Sequence, residues 1–464
     1  VNARAVVWAS GVAVLALALA GCVSYTPRPL SAQRALAAAR SRSLDDPQLQ
    51  AEVARHLSPG AVRPPAWTFE SLAWAACRLN PDLAVARAKL DAAQAAETTA
   101  GERPNPTLAL PFEVASNPSA GDSPYTVGLG LDIPIETGGK RDARVAQAER
   151  LSRVAELELG DAAWQVRGRL RAALLDLRHA RRDAALLAAQ EARRAQVAQM
   201  LSRRLALGEA PRADLDLAEA ELAQLRLQQA DAQRAMAQAR AGVAEAVGVP
   251  LAAIARADIR LDDLDQPPAP VADASALDAA LRNRTDVQAA LARYEASQAA
   301  LQLAVASQYP DIHLGPGYTF DGGVRKVVLS LSGLELPVFN RHRGAIAEAE
   351  AHRREAAAQF EAAMAQGAAQ VDRAAAGLRD ALAQWTLAGQ VAQRQDRMAA
   401  AARRSFDAGA TGRLDLALAE LQGDAAALQR EDAFDRLLRA AAALEDAVQR
   451  PLSDGAVAPE KERP

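Results

Sequence analysis

One arrangement occurs twice in this chain, and it limits the available folds more than any other feature. In Leu329–Arg354 a strand-like run ends at Pro337, a short polar turn Asn340–Arg343 follows, and an alanine-rich helical pattern begins at Gly344. The same series runs through Val127–Arg150, where Pro134 answers Pro337, Glu136–Arg141 answers Asn340–Arg343, and Val145–Glu149 answers Ile346–Glu350. Asn80–Leu83 and Arg284–Val287 form a further matched pair. Internal repetition of this kind predicts two structurally equivalent halves.

Composition decides what sort of helix follows each strand. Hydrophobic residues make up 50% of the chain but aromatic residues only 4%, because alanine supplies most of the apolar share. Alanine is the best helix former and the smallest side chain with a Cβ. The chain is therefore suited to long, closely packed helices rather than to a round core. A proline-free stretch runs from Gly139 to Leu207, a length that reaches about 100 Å as a helix. Gly208–Pro211 breaks it, and a second helix is expected from Ala213 to Val247. The second half repeats this with a helix from Gly344 to Asp407, a break at Gly409–Gly412 and a last helix to Gln449. The fold class is mainly α with a small β part.

Before each long helix lie alternating runs. Leu108, Leu110, Phe112 and Val114 share one face, as do Val127, Leu129, Leu131, Ile133 and Ile135. In the second half Ile312–Phe320 and Lys326–Leu336 alternate in the same way, with a change of phase at Gly333 that suggests a β-bulge. A period of two marks strands with one apolar face. Each half thus supplies two strands of about nine to eleven residues, long enough to span a bilayer when tilted. Four strands cannot close a barrel, and open edges in lipid leave backbone groups unsatisfied. Other copies must complete the wall, and three chains would give twelve strands.

The domain plan reads as follows. Residues 1–21 are a targeting segment with Arg4 and the apolar run Gly11–Ala20, too short to span a bilayer as a helix. Residues 22–66 form an extended N-terminal segment, 67–250 the first repeat with strands about 107–135 and helices 139–248, and 251–273 a linker. Residues 274–450 form the second repeat with strands about 311–336 and helices 341–449, and 451–464 a disordered tail. Leu19–Cys22 resembles the bacterial lipoprotein cleavage box, which implies acyl chains on Cys22 and a lipid anchor in the outer membrane.

Several chemistries find no support. Net charge is −3, so no strong field for nucleic acid is implied. Two cysteines, Cys22 and Cys77, are too few for a disulfide framework, and the five histidines form no HxxH or HxxxH pair. No nucleophile–base pair, phosphate loop or metal-ligand spacing is present, so neither an enzyme, nor a cofactor, nor a metal site is expected.

The turn Pro337–Ile346, the turn Pro134–Arg141 and the duplication together resemble the TolC-like outer-membrane factors of tripartite efflux systems, over roughly residues 68–450. The first turn, Ile135–Arg141, is most similar to the heavy-metal cation efflux (CzcC-like) group. The resemblance implies a homotrimer with a twelve-stranded outer-membrane β-barrel and a long periplasmic α-helical barrel. It implies a periplasmic adaptor (membrane fusion protein) and an inner-membrane RND pump as partners. The chain would be a passive exit duct, with heavy-metal cations as cargo. A drug or type I secretion duct is the alternative within the fold, and a coiled-coil envelope scaffold lipoprotein is the alternative outside it.

The same resemblance places functional residues. Gly208, Arg212, Gly409 and Arg413 fall at periplasmic tips where an adaptor would dock; turn chemistry alone also accounts for the glycines. Asp216 and Asp415, in Leu215–Leu217 and Leu414–Leu416, fall where the family's pore gate lies. They are equally readable as acids stabilising helix N-termini. Pro134, Gly138, Gly139, Pro337, Asn340 and Gly344 shape the strand-to-helix turns, and His313 is assigned to the lumen side of its strand.

Overall fold

The computed structural model describes residues 23–117, 123–268, 278, 281–321, 323–333 and 335–451. Residues 23–42, with helix α1 (Ala32–Ser41), form one unit, and residues from Ser43 onward form the other. Cys22, the targeting segment and the tail from 452 lie outside the described residues.

In the larger unit α2 (Pro47–His56) precedes a short strand β1 (Ala66–Trp67), α3 (Phe69–Leu79) and α4 (Pro81–Gly101). Thr68 caps α3 in a reciprocal box with Ser71, and Pro81 opens α4 with Asn80 as its cap. Strands β2 (Thr107–Ala109), β3 (Phe112–Val114) and β4 (Tyr125–Ile135) lead into α5 (Lys140–Ala206) and α6 (Arg212–Val247). After α7 (Leu251–Arg256) and β5 (Asp258–Ile259), α8 (Thr285–Ala306), β6 (Ile312–Asp321) and β7 (Val324–Ser332) lead into α9 (Arg343–Asp407) and α10 (Arg413–Val448). Among the described residues, no helix is long and apolar enough to cross a membrane.

The helices are built for close approach. On α6 the buried positions Ala218, Leu225, Ala232, Ala239 and Ala246 recur at heptad spacing, and on α9 Val371, Leu378, the half-buried Trp385 and Ala392 keep the same spacing. Small residues on such a seam bring α6 against α5 and α10 against α9, the pairing expected of two helical hairpins. The main core lies partway along these helices. There Trp67, Leu72, Leu170, Leu174, Leu437 and Leu444 are almost fully buried.

Three expectations need correction. The stretch 22–66 is not simply extended: α1 and α2 lie within it, and Leu49 and Val53 of α2 enter the main core. The stretch 251–273 is not a free linker over its described part. It carries α7, pairs β5 in parallel with β1, and buries Ile254, Ile259, Leu261 and Leu264. Apolar residues spaced too irregularly for one helix or strand serve here as packing anchors. The first strand is split, because Pro111 has no N–H for the ladder; its carbonyl instead accepts from the Gly128 N–H at 2.9 Å.

The sheet order is β2 and β3 beside β4, then β6, then β7, all antiparallel. Registers align one apolar face across the strands: Phe112 faces Val127 and Val127 faces Phe320, while Leu108 faces Leu131 and Ile133 faces Leu314. Leu314, Pro316 and Tyr318 face Leu331, Leu329 and Val327 of β7. The opposite face carries Gly128, Gly130, Gly317, Thr319 and Lys326. β7 stops at Ser332, and the expected change of phase at Gly333 runs into residue 334, outside the described residues; Gly333 takes φ +72, and a Cβ there would stand 2.7 Å from the His313 ring.

Candidate functional site

Two turn regions lie at opposite ends of helices that are 67 and 65 residues long, about 100 Å apart. They are separate sites.

At the sheet end, the first strand-to-helix turn is locked by the second repeat. Pro134 pairs with His313 near the end of β4, and Gly138 and Gly139 both adopt left-handed conformations. Gly138 sits so near α8 that a Cβ would stand 2.9 Å from the Ala306 carbonyl oxygen. Asp311 accepts from the Thr137 N–H at 3.0 Å and from Lys140 Nζ at 2.8 Å. Burial pushes the Asp311 carboxyl up, but the Lys140 and Thr137 donors outweigh it and hold the group below its ordinary range. Arg144 pairs with Glu136 at 2.7 Å and donates to the carbonyls of Ala100 and Glu102. Its pKa is raised, chiefly by the Glu136 hydrogen bond.

The second turn has the same backbone design but lies open. Asn340 Oδ1 accepts from the His342 N–H at 2.9 Å, and Pro337, Val338 and Phe339 are exposed, Phe339 fully. His342, with φ +57, is the helix cap, so it is the counterpart of Gly139 (φ +75). Gly344 was expected to shape this turn; it instead lies inside α9 with no positive φ. His313 does lie on the face opposite the apolar one, with Nδ1 3.0 Å from an Asp132 carboxylate oxygen.

At the other end, both hairpins close in the same way. Gly208 (φ +74) and Gly409 (φ +73) end α5 and α9. The Glu209 N–H reaches the Arg204 carbonyl and the Ala410 N–H reaches the Ser405 carbonyl, both at 2.8 Å. These are paired Schellman turns. Arg212 and Arg413 begin the returning helices and are exposed; Arg212 Nε donates to Asp216 at 2.8 Å.

The two aspartates are not equivalent. Counted from the glycines, Asp415 corresponds to Asp214, and buried Leu416 corresponds to buried Leu215. Asp415 accepts from the Gly412 N–H at 3.1 Å as a helix-start acid, whereas Asp216 lies beyond the first turn and is exposed. Matching the two Leu-Asp-Leu triplets therefore misplaces the register by one pair. Near the tips Glu420 accepts from Arg193 at 2.9 Å and from Arg403, joining α5, α9 and α10. Sequence reasoning passed over this junction, because nothing in the local spacing links positions so far apart. Among the described residues one group, His179, Asp183 and Asp432, brings metal-type ligand atoms within 4.8 Å of one another.

A strand pair feeding a hairpin of very long helices, duplicated and bounded by these turns, defines a TolC-like channel fold. The outer membrane efflux protein family model matches residues 74–249 and 276–448, and the chain belongs to that family. It is 27% identical over 278 residues to the cobalt-zinc-cadmium resistance protein CzcC of Cupriavidus metallidurans. That match covers 60% of this chain and 64% of the relative. Among solved structures, VceC of Vibrio cholerae superposes with a TM-score of 0.66 at 21% identity, covering 83% of this chain and 97% of that one. The outer-membrane channel OprN gives 0.68 at 18% identity, covering 94% and 99%. CusC gives 0.65 at 17% identity, covering 82% and 91%.

Proposed function

We propose that three copies of this chain form the exit duct of a tripartite efflux system for divalent metal cations. The observation that carries the duct is the sheet's two open edges beneath one continuous apolar face. Val327, Leu329 and Leu331 of edge strand β7 are 68–86% exposed, and Leu108, Phe112 and Val114 at the other edge are 57–64% exposed. In lipid such edges must be paired, which a closed ring of copies achieves by joining β7 to β2 and β3 of the next. The helices support the same reading. Beyond its hairpin partner α6, α5 packs on α4, α8 and α10, whereas its counterpart α9, beyond its hairpin partner α10, packs chiefly on α8. The α4 of a neighbouring copy would complete α9 and cover the open turn at Phe339.

In such an assembly the Gly208 and Gly409 hairpins, with Arg212 and Arg413, form the end that meets a periplasmic adaptor fed by an inner-membrane RND pump. Asp216 and Asp415 then ring the narrow end with negative charge, which favours cations. The likeness to a cobalt-zinc-cadmium resistance protein supports metal cargo over drugs. Acylation of Cys22 would add a lipid anchor.

The test is growth of a deletion strain across cobalt, zinc, cadmium, nickel, copper and silver, beside dyes and antibiotics. Selective sensitivity to metals, restored by the gene, is the expected result. Sensitivity confined to hydrophobic drugs would overturn the metal cargo while leaving the duct.

A further inference from the structure

We infer that His179, Asp183 and Asp432 form a binding site for a divalent transition-metal cation on the helical wall of the protein. His179 and Asp183 lie one turn apart on α5, and Asp432 faces them from α10. Nε2 of His179 is 3.4 Å from Oδ2 of Asp183 and 4.0 Å from Oδ1 of Asp432. These gaps exceed a charge-assisted hydrogen bond, which is about 2.7–2.9 Å. They are near the separation of two ligands on one tetrahedral ion, about 3.3 Å for bonds of about 2.0–2.1 Å. A small rotamer adjustment brings all three onto a shared cation.

Two further observations point to a ligand. Oδ1 of Asp183 is buried with no hydrogen-bond partner in the protein. Buried polar atoms of this kind call for an ion or water to satisfy them. The cluster also opens on a groove of about 630 Å³ between α5, α6 and α10, lined besides by Asp176, Asp231 and Gln228.

Charge completes the case. Nearby acids have basic partners of their own: Asp176 and Asp435 pair with Arg439, Asp231 with Arg234, and Glu431 with Arg178. Asp183 and Asp432 pair, among the described ion pairs, with His179 alone. Two carboxylates and a neutral imidazole together match a dication. One imidazole and two carboxylates, with no thiolate or thioether, suit zinc-like ions rather than soft monovalent copper. Three protein ligands leave a fourth position for water.

The site is about 40 Å from the Gly208 tip along α5. It stands on its own geometry; its use as a way-station or sensor for cargo rests on the metal-efflux reading above. The sequence held part of the signal, a His-x3-Asp pair, but Asp432 lies in the other repeat.

The test is zinc binding to the full-length protein, chelator-stripped in detergent, by calorimetry, with the absorption spectrum of bound cobalt as a second readout. We expect one equivalent per chain. Binding should weaken at least tenfold in His179→Ala and in both Asp183→Asn and Asp432→Asn, with unchanged circular dichroism. His352→Ala, at an exposed histidine beside Glu348 and Glu355, should bind as the parent does. Absence of stoichiometric binding, or binding indifferent to all three substitutions, would show an ion pair only and overturn the site. The growth test is separate: zinc binding that depends on His179, in a protein whose deletion leaves metal tolerance unchanged, keeps the site and removes the cargo reading.

Discussion

Asn80 donates its side-chain amide to the carbonyl of Ala246, 2.8 Å away and 166 residues along the chain. In the second repeat Arg284 Nη1 donates to the carbonyl of Ala447, the corresponding residue. Each repeat therefore ties the start of its short helix to the end of its returning long helix, using different chemistry at the same place. Asn80 also caps α4 by accepting from the Asp82 N–H at 2.9 Å. Arg284 instead grips Asp286 through two bonds of 3.0 and 2.8 Å and reaches Gln370.

This difference sets unequal mutational costs. Asn80→Ala removes a cap and strands a buried carbonyl, and should cost about 1–2 kcal/mol. Arg284→Ala removes buried bonds to the Ala447 carbonyl and Gln370 and an Asp286 pair that solvent screens, Asp286 being 39% exposed, and should cost about 1.5–3 kcal/mol. Thermal unfolding of the detergent-solubilised protein, followed by circular dichroism, should rank parent above Asn80→Ala above Arg284→Ala. The reverse order would show that the arginine grip is incidental.

The strand-to-helix turn offers a matched pair of adjacent glycines. Both have positive φ, yet a Cβ at Gly138 meets the Ala306 carbonyl and Tyr309, whereas at Gly139 nothing lies within 4 Å. Gly139→Ala should carry only the left-handed backbone cost, about 1–2 kcal/mol. Gly138→Ala adds a backbone clash and should reduce the yield of assembled protein well below that of Gly139→Ala, measured as the heat-modifiable oligomer in the outer-membrane fraction. His342 occupies the equivalent of Gly139 and tolerates it at φ +57, which supports the smaller cost.

Acid should loosen this same turn. The Asp311 carboxyl is held below its ordinary value in the folded protein, so its contribution is complete above the unfolded value of about 3.9. It is lost as pH falls through the lower folded value. Asp311→Asn should narrow the loss of stability between about pH 5 and pH 2, and flatten the acid limb relative to the parent. The effect is modest, because the side chain is 37% exposed and solvent screens the Lys140 pair. Chemical denaturation across that range, parent against variant, measures it.

What the sequence made legible was the part governed by periodicity. Alternation located β4, β6 and β7, absence of proline located the long helices, and Gly208 and Gly409 marked their ends. Features that depend on distant residues stayed hidden: the pairing of Ile259 with Trp67, the Glu420 junction, and the approach of Asp432 to His179. The pairing of Asp216 with Asp415 failed for a related reason. Three identical letters outweighed a two-residue offset that only the glycine-to-helix distance reveals.

That offset gives the gate a sharper test than the two aspartates alone. Asp214 and Asp415 both sit in the first turn of their helices, where a negative charge favours the N-terminus by about 0.3–1 kcal/mol. Asp214→Asn and Asp415→Asn should lower thermal stability by similar small amounts. Asp216→Asn loses only an exposed pair with Arg212 and should leave stability within about 0.5 kcal/mol of the parent. If these carboxylates ring a cation-selective mouth, Asp216→Asn should still shift the reversal potential under a salt gradient toward lower cation preference in planar bilayers. Combining it with Asp415→Asn should shift it further. A potential unmoved by the double substitution, with stability lowered only in the Asp415 variants, would leave helix stabilisation as the whole role of Asp415 and a solvated surface pair as that of Asp216.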